Sequence, residues 1–190
     1  MSAVSIEYFV NGLAAYSDAA FEFVSNMKNA INEMAYAWRV PPGAIAGIIA
    51  KERDDWDKHV SNRASDKYVS LLTDEYLRQQ YEQIKGHEDD DPPGSKLLYP
   101  LYIDIGPANF RLATAIRLLE NYKVDQQGGE GQVDYDPLNL AQYYDDYGSL
   151  ANELIKAAST LVVKFYGLYV AEAQAWFSEK LPYWNDLPTA

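Results

Sequence analysis

Residues 41–53 read PPGAIAGIIAKER: two prolines and a glycine, then an apolar run that ends in charged residues. A proline in the first helical turn sacrifices no hydrogen bond and already holds a helical φ, so Val40 ends one element and Pro42 starts a helix running to about Arg53. Ile45, Ile48, Ile49 and Glu52 are spaced to share one face of it. A helix this apolar has to be surrounded, which makes it the central core helix. Glu52 is its anomaly, because carboxylates are rarely buried without a partner. Two readings are open. Either the helix ends there and Glu52 leans into solvent, or the carboxyl sits on an apolar wall near a helix C-terminus. Burial and the helix dipole then both favour its protonated form, and a carboxyl that keeps its proton is what general-acid cleavage of a glycosidic bond requires.

Around that segment the pattern is helical almost throughout. Ser5 to Tyr16 reads as a first helix, and a second starts at Ser17 or Asp18 and carries Phe21, Val24, Met27, Ile31, Met34 and Trp38 at helical spacing. Residues 54–66 read as polar and irregular, Asp66 to Lys85 as a helix, and 86–96 (GHEDDDPPGSK) as an exposed acidic loop. LLYPLYIDIG, residues 97–106, is the one β-favouring stretch and suits a short strand or hairpin. A helix from Pro107 or Asn109 to Tyr122 follows, then a loop at 125–132 and a short helix capped by Asp136-Pro137. Ser149 opens a last long helix through Leu168. The expectation is one mostly α domain over 1–190, with N-terminal helices in 1–40, a functional core in 41–178 and a small β-hairpin or extended segment near 97–106.

Composition mainly excludes. A formal net charge of −12 argues against nucleic acid, which needs a basic footprint. The absence of cysteine removes disulfides and thiolate metal sites. No run is long and apolar enough to span a membrane, and the start, MSAVSIEYFV, carries no recognisable secretory signal. Two histidines in separate loops, His59 and His87, do not make a zinc site, and Asp89-Asp90-Asp91 reads as a solvated acidic run rather than a calcium loop. No metal and no cofactor is expected. Sixteen tyrosines and four tryptophans suit flat polar ligands such as sugar rings, although packing accounts for most of them.

The segment DIGPANFRLATA, 104–115, supplies a second landmark: Gly106, Asn109 three residues on, and Thr114-Ala115 eight residues after the glycine. A third is Asp136-Pro137-Leu138-Asn139-Leu140, and Lys164-Phe165-Tyr166-Gly167 is a looser fourth. With PPGAIAGIIAKE ahead of them, these segments resemble, in order, the lysozyme-like superfamily, in particular goose-type lysozymes and soluble lytic transglycosylases. The likeness covers about residues 40–170. It implies a lysozyme-like fold, peptidoglycan as substrate and Glu52 as general acid. Asn109, Thr114 and Tyr166 would line the cleft. The chain departs from the family pattern at Arg53, where serine is usual, and at Asn109, where glutamine is usual. The interval between Glu52 and Gly106 is also longer than in compact members.

A second carboxylate is needed for hydrolysis but not for transglycosylation, in which the sugar's own hydroxyl closes on the anomeric carbon. Asp104, flanked by Ile103 and Ile105, is the leading choice, with a backbone-bonded turn residue as its alternative role. In a strand, Asp104 faces opposite its two neighbours. Asp54, Asp55 and Asp57 read as a solvated cluster, with Trp56 as a surface on which a sugar ring stacks. The expected function is therefore a muramidase that favours hydrolysis and acts on the cell wall in the periplasm or a target cell envelope. It would reach the wall as a phage lysin domain or as a delivered antibacterial effector with an immunity protein. The rival expectation is a non-enzymatic acidic helical protein that binds a basic protein partner.

Overall fold

A computed structural model of the chain describes residues 16–58, 61–90, 92, 99–127, 136–157 and 159–180. The expected helix at 5–16 lies, but for Tyr16, outside them. Eight α-helices and one two-stranded antiparallel sheet make up these residues: α1 (Asp18–Asn26), α2 (Lys28–Trp38), α3 (Pro42–Lys58), α4 (Ser61–Val69), α5 (Asp74–Ile84), β1 (Asp104–Ile105), β2 (Phe110–Arg111), α6 (Leu112–Gln127), α7 (Tyr147–Ile155) and α8 (Leu161–Lys180). The mostly α expectation holds. Short 3-10 turns occupy Pro100–Tyr102 and Ala141–Tyr143. Among the described residues no helix is long and apolar enough to cross a membrane.

α3 is central as its composition requires. Ile45 and Ile49 are fully buried in one hydrophobic core with Ile105, Leu112, Ile116, Leu119, Leu150 and Phe165. α1 and α2 both pack against α3, and α8 packs against both α2 and α3. The α2–α8 crossing is close because Gly167 has no side chain: a Cβ there would lie 2.3 Å from Cγ of Met34.

Several boundaries differ from the sequence reading, each for a local reason. α3 does not stop at Arg53. Ion pairs one turn apart, Lys51–Asp55 at 3.1 Å, Arg53–Asp57 at 3.1 Å and Asp54–Lys58 at 3.3 Å, carry it through the polar stretch to Lys58. The expected 66–85 helix is two helices, because Thr73 leaves helical geometry and caps α5 through the Tyr76 N–H. The first long helix breaks at Met27, whose N–H still bonds back to Val24. Ser149 does not open the last helix. It lies inside α7, capped by Asp146, and α8 begins afresh at Leu161 after a Lys156–Ser159 turn.

The β segment also sits later than expected. Asp104 pairs with Arg111 and Ile105 with Phe110, so the strands flank residues 106–109 instead of filling 97–106. α6 starts at Leu112 and runs past Tyr122 to Gln127, which makes 125–127 helical; 128–132 of the expected loop lie outside the described residues. Asp136 caps no helix. Its carboxylate accepts from the Tyr122 hydroxyl at 2.9 Å and from the Ala141 N–H at 2.6 Å, tying the 136–141 turn to α6.

Candidate functional site

The tight turn between β1 and β2 is where the chain is most constrained. Gly106 has φ +70°, and a Cβ there would lie 2.1 Å from the Leu154 carbonyl oxygen at the end of α7, so only glycine fits. Asn109, at φ 50°, closes the turn with its N–H on the Gly106 carbonyl at 2.8 Å. Asparagine tolerates this left-handed backbone better than glutamine or most other residues. That conformation turns the Asn109 side chain outward, and its Nδ2 donates to Oε2 of Glu52 at 3.0 Å, across 57 residues of sequence.

Glu52 stands mid-helix on α3, more than a turn from its C-terminus, so the helix end does not act on it. Its side chain is 23% exposed, and its other oxygen accepts from Lys51 Nζ at 2.9 Å. Hydrogen bonds to Glu52 and then Asp55 hold the Lys51 ammonium more firmly protonated than usual. Neither open reading of Glu52 is met as written: the helix continues past it, and the carboxylate is half-buried with two donors.

Glu52 looks onto a cleft of about 490 Å³ whose wall includes Ile48, Asp89, Asp104, Asn109, Arg111 and Thr114. Tyr166 and Tyr169 from α8 complete it, with Phe110 between strand and helix. The Phe110 ring meets the Tyr166 ring edge-on at 4.6 Å. Burial first, and then the charges of Glu52 and Asp104, push the Tyr166 phenol well above its ordinary range. It stays protonated and donates to the Ala108 carbonyl at 2.8 Å, bracing the turn from the α8 side. Asp104 sits opposite Arg111 in the strand register, with Nε of Arg111 3.7 Å from its Oδ1.

Five of the six side chains singled out from the sequence therefore meet in one place: Glu52, Asp104, Asn109, Thr114 and Tyr166. Trp56 does not join them. Its ring is flanked by the Arg53 and Arg63 guanidinium groups, at 4.9 and 5.6 Å. Arg53, where the resemblance has serine, lies over the Phe23 ring of α1 and pairs with Asp57 one turn along α3.

No family model, curated protein or solved structure matches the chain.

Three features of the site went unread in the sequence. The acidic loop is not merely solvated. Glu88 is buried, accepting from the Tyr81 hydroxyl at 3.0 Å and the Gly86 N–H at 2.9 Å. This anchor brings Asp89 over the cleft, where Thr114 donates to it at 3.2 Å and Arg117 lies 3.6 Å away. Arg111 also reaches the carbonyls of Asp89 and Asp90 at 3.4 Å. The third feature is Asp66 on α4, a buried carboxylate whose Oδ1 accepts from the Gly106 N–H at 2.8 Å. Asp66 thus holds the backbone of the turn, the role weighed for Asp104. The sole signal available for it was a lone acid in a segment assigned to the start of a helix.

No group of three or more histidine, aspartate or glutamate side chains is arranged to hold a metal among the described residues. His87 is exposed and bonds Asp90 at 2.8 Å, and His59 lies outside the described residues.

Proposed function

We propose that the chain is a peptidoglycan muramidase that cleaves the bond between N-acetylmuramic acid and N-acetylglucosamine, with Glu52 as general acid. The observation that carries this reading is the 3.0 Å bond from Asn109 to Glu52 inside a cleft that also holds Asp104, Thr114 and Tyr166. A half-buried carboxyl oriented by a side-chain donor, sharing an open groove with a second carboxylate, is an arrangement suited to acid-assisted glycoside cleavage.

In this mechanism Glu52, as general acid, gives a proton to the glycosidic oxygen. The bond from that oxygen to the anomeric carbon breaks, its electron pair staying on the departing sugar. A water on the opposite face of the ring attacks the anomeric carbon, and Asp104 takes the proton it releases. The product is a free reducing end with inverted configuration. Asn109 keeps the Glu52 carboxyl aimed across the cleft, while Thr114, Arg111 and Tyr169 offer polar and aromatic contacts to the sugar rings. The wall being its substrate, the enzyme would act in the periplasm or the envelope of a target cell, in the manner of a lysin or a delivered antibacterial effector.

Mass spectrometry of muropeptides released from purified sacculi tests the reading. Wild type releases fragments with free reducing ends, and Glu52→Gln keeps its fold while losing on the order of 10²–10⁴-fold in rate. Anhydro-muropeptides as the main product would leave Glu52 in place and remove Asp104's role. No release by folded wild type would overturn the enzyme reading in favour of an acidic protein that binds a basic partner.

A further inference from the structure

Glu52 is oriented by Asn109, and Asn109 belongs to a turn that must itself be held. The turn is gripped at two ends. On one, the Tyr166 hydroxyl holds the Ala108 carbonyl at 2.8 Å. On the other, Asp66 Oδ1 accepts from the Gly106 N–H at 2.8 Å, reaching across 40 residues of sequence. The Gly106 carbonyl in turn accepts from the Asn109 N–H at 2.8 Å, and Asn109 Nδ2 donates to Glu52 at 3.0 Å. A continuous line of hydrogen bonds therefore joins a buried carboxylate on α4 to the half-buried one on α3.

Asp66 is buried where it can serve this line. It is 8% exposed, on a helix with no other buried polar side chain among its described residues. No cation pairs with it among the described residues, and burial raises its proton affinity above that of an ordinary aspartate. The Gly106 N–H opposes that shift, as does the Trp56 indole, whose N–H is buried beside it without a partner at hydrogen-bond geometry. A buried acceptor that bears a desolvation cost to hold one backbone N–H is there to fix that peptide. Gly106 is also packed closely, since a Cβ there would lie 2.1 Å from the Leu154 carbonyl oxygen.

We infer that Asp66 is a positioning residue: its carboxylate fixes the Gly106 peptide and, through Asn109, sets where the Glu52 carboxyl points. This goes beyond the muramidase reading and rests on it only for the kinetic half of the test below.

The test uses the full chain and two readouts. The first is the NMR signal of the Asn109 side-chain amide, assigned by its loss in Asn109→Ala; in the otherwise wild-type chain it shifts on Glu52→Gln, which changes the group that accepts from it. In folded Asp66→Ala that response to Glu52→Gln disappears, and kcat on soluble peptidoglycan oligomers falls by about 10–100-fold, since a small misplacement of a reacting group has that effect. KM stays within about threefold, since groups that bind sugar are untouched. Asp66→Asn, whose amide oxygen still accepts from Gly106, restores both readouts. Should Asp66→Ala not fold, Asp66→Ser, whose shorter side chain stops short of Gly106, replaces it. An unchanged Asn109 response in the folded alanine or serine variant overturns the inference, and so does an Asp66→Asn variant that behaves like them. If wild type cleaves nothing, the muramidase reading fails, while the NMR arm still decides whether Asp66 positions Asn109.

Discussion

Two hollows among the described residues differ in what lines them, and the larger is not the one that gathers the polar groups. A groove of about 630 Å³ runs between α6 and α8, lined by Trp38, Leu118, Tyr122, Leu168 and Ala171, with Glu172 at its side. The Glu52 cleft is smaller, at about 490 Å³. The groove's one carboxylate from α8 is occupied: Glu172 pairs with Arg117 at 2.6 Å and also accepts from Asn121. Its wall is built by two helices and the end of a third. The cleft is built around a turn with two left-handed residues, Gly106 and Asn109, and draws polar groups from α3, the hairpin, α6 and α8. Helices that simply pack leave hollows wherever side chains are small. Convergence of charge from separated segments on a strained turn has to be specified, and strain of this kind gathers where function is carried out.

The contrast can be broken most directly by exchanging the two regions in an assay. Asp104→Asn is expected to slow release of reducing-end muropeptides on the order of 10²-fold, the scale of a lost general base, while its urea midpoint implies a loss within about 1 kcal/mol. Ala175→Phe, which fills the groove from its exposed side, is expected to leave the rate unchanged. Equal losses in both variants would show that the groove, too, engages the substrate.

Next in size is the turn itself. Gly106→Ala places a side chain at φ +70° against the Leu154 backbone, and the left-handed conformation alone costs about 1–3 kcal/mol. Gly47, inside α3 with open space around it, gives the opposite sign: Gly47→Ala is expected to stabilise by roughly 0.5–1 kcal/mol. Urea denaturation of the pair checks both signs, and a neutral Gly106→Ala would mean the turn is not as tight as its geometry states.

The smallest effect belongs to Asp66. Burial lifts its proton affinity in the folded state. A carboxyl raised in this way adds stability below the ordinary aspartate range, and that contribution is lost as pH rises through the folded-state value. Asp66→Asn has no proton to lose, so its stability should exceed that of wild type at pH 7, by about 1 kcal/mol for each unit of displacement. The two should converge below about pH 4, the ordinary aspartate range. Thermal melts across pH 3–7 check this, and a gap that widens toward acid would reverse the assigned cause.

How much of this was legible in the sequence follows from range. The α3 restart after Pro41-Pro42 and its buried Ile45 and Ile49 were readable because proline and helical periodicity act locally. The hairpin was displaced because β propensity lies in 97–105, while the pairing is set by the Gly106–Asn109 turn. The breaks at Met27 and before Leu161 carry no proline and only weak caps, so helical spacing ran straight through them. Glu52, Asn109, Thr114 and Tyr166 were found through an ordered set of short landmarks, and Asp104 through its place between two isoleucines. Asp66 and Asp89 were missed for one reason: each acts on a residue 25 to 40 positions away, and nothing in its own neighbourhood announces that partner.

The close crossing of α2 and α8 has a redox side. Met34, 4% exposed, fills the notch left by Gly167, with its Cε 2.5 Å and its sulfur 3.1 Å from where a Cβ would stand. Oxidising that thioether adds a polar oxygen to a contact with no spare volume. The helix it would displace carries Tyr166, the residue just before Gly167 and the brace of the Gly106–Asn109 turn. In a peroxide-rich setting the lifetime of the cleft would thus be set by one sulfur in the core that touches none of its polar groups, and a sulfoxide reductase, rather than a chaperone, would be what returns it to service.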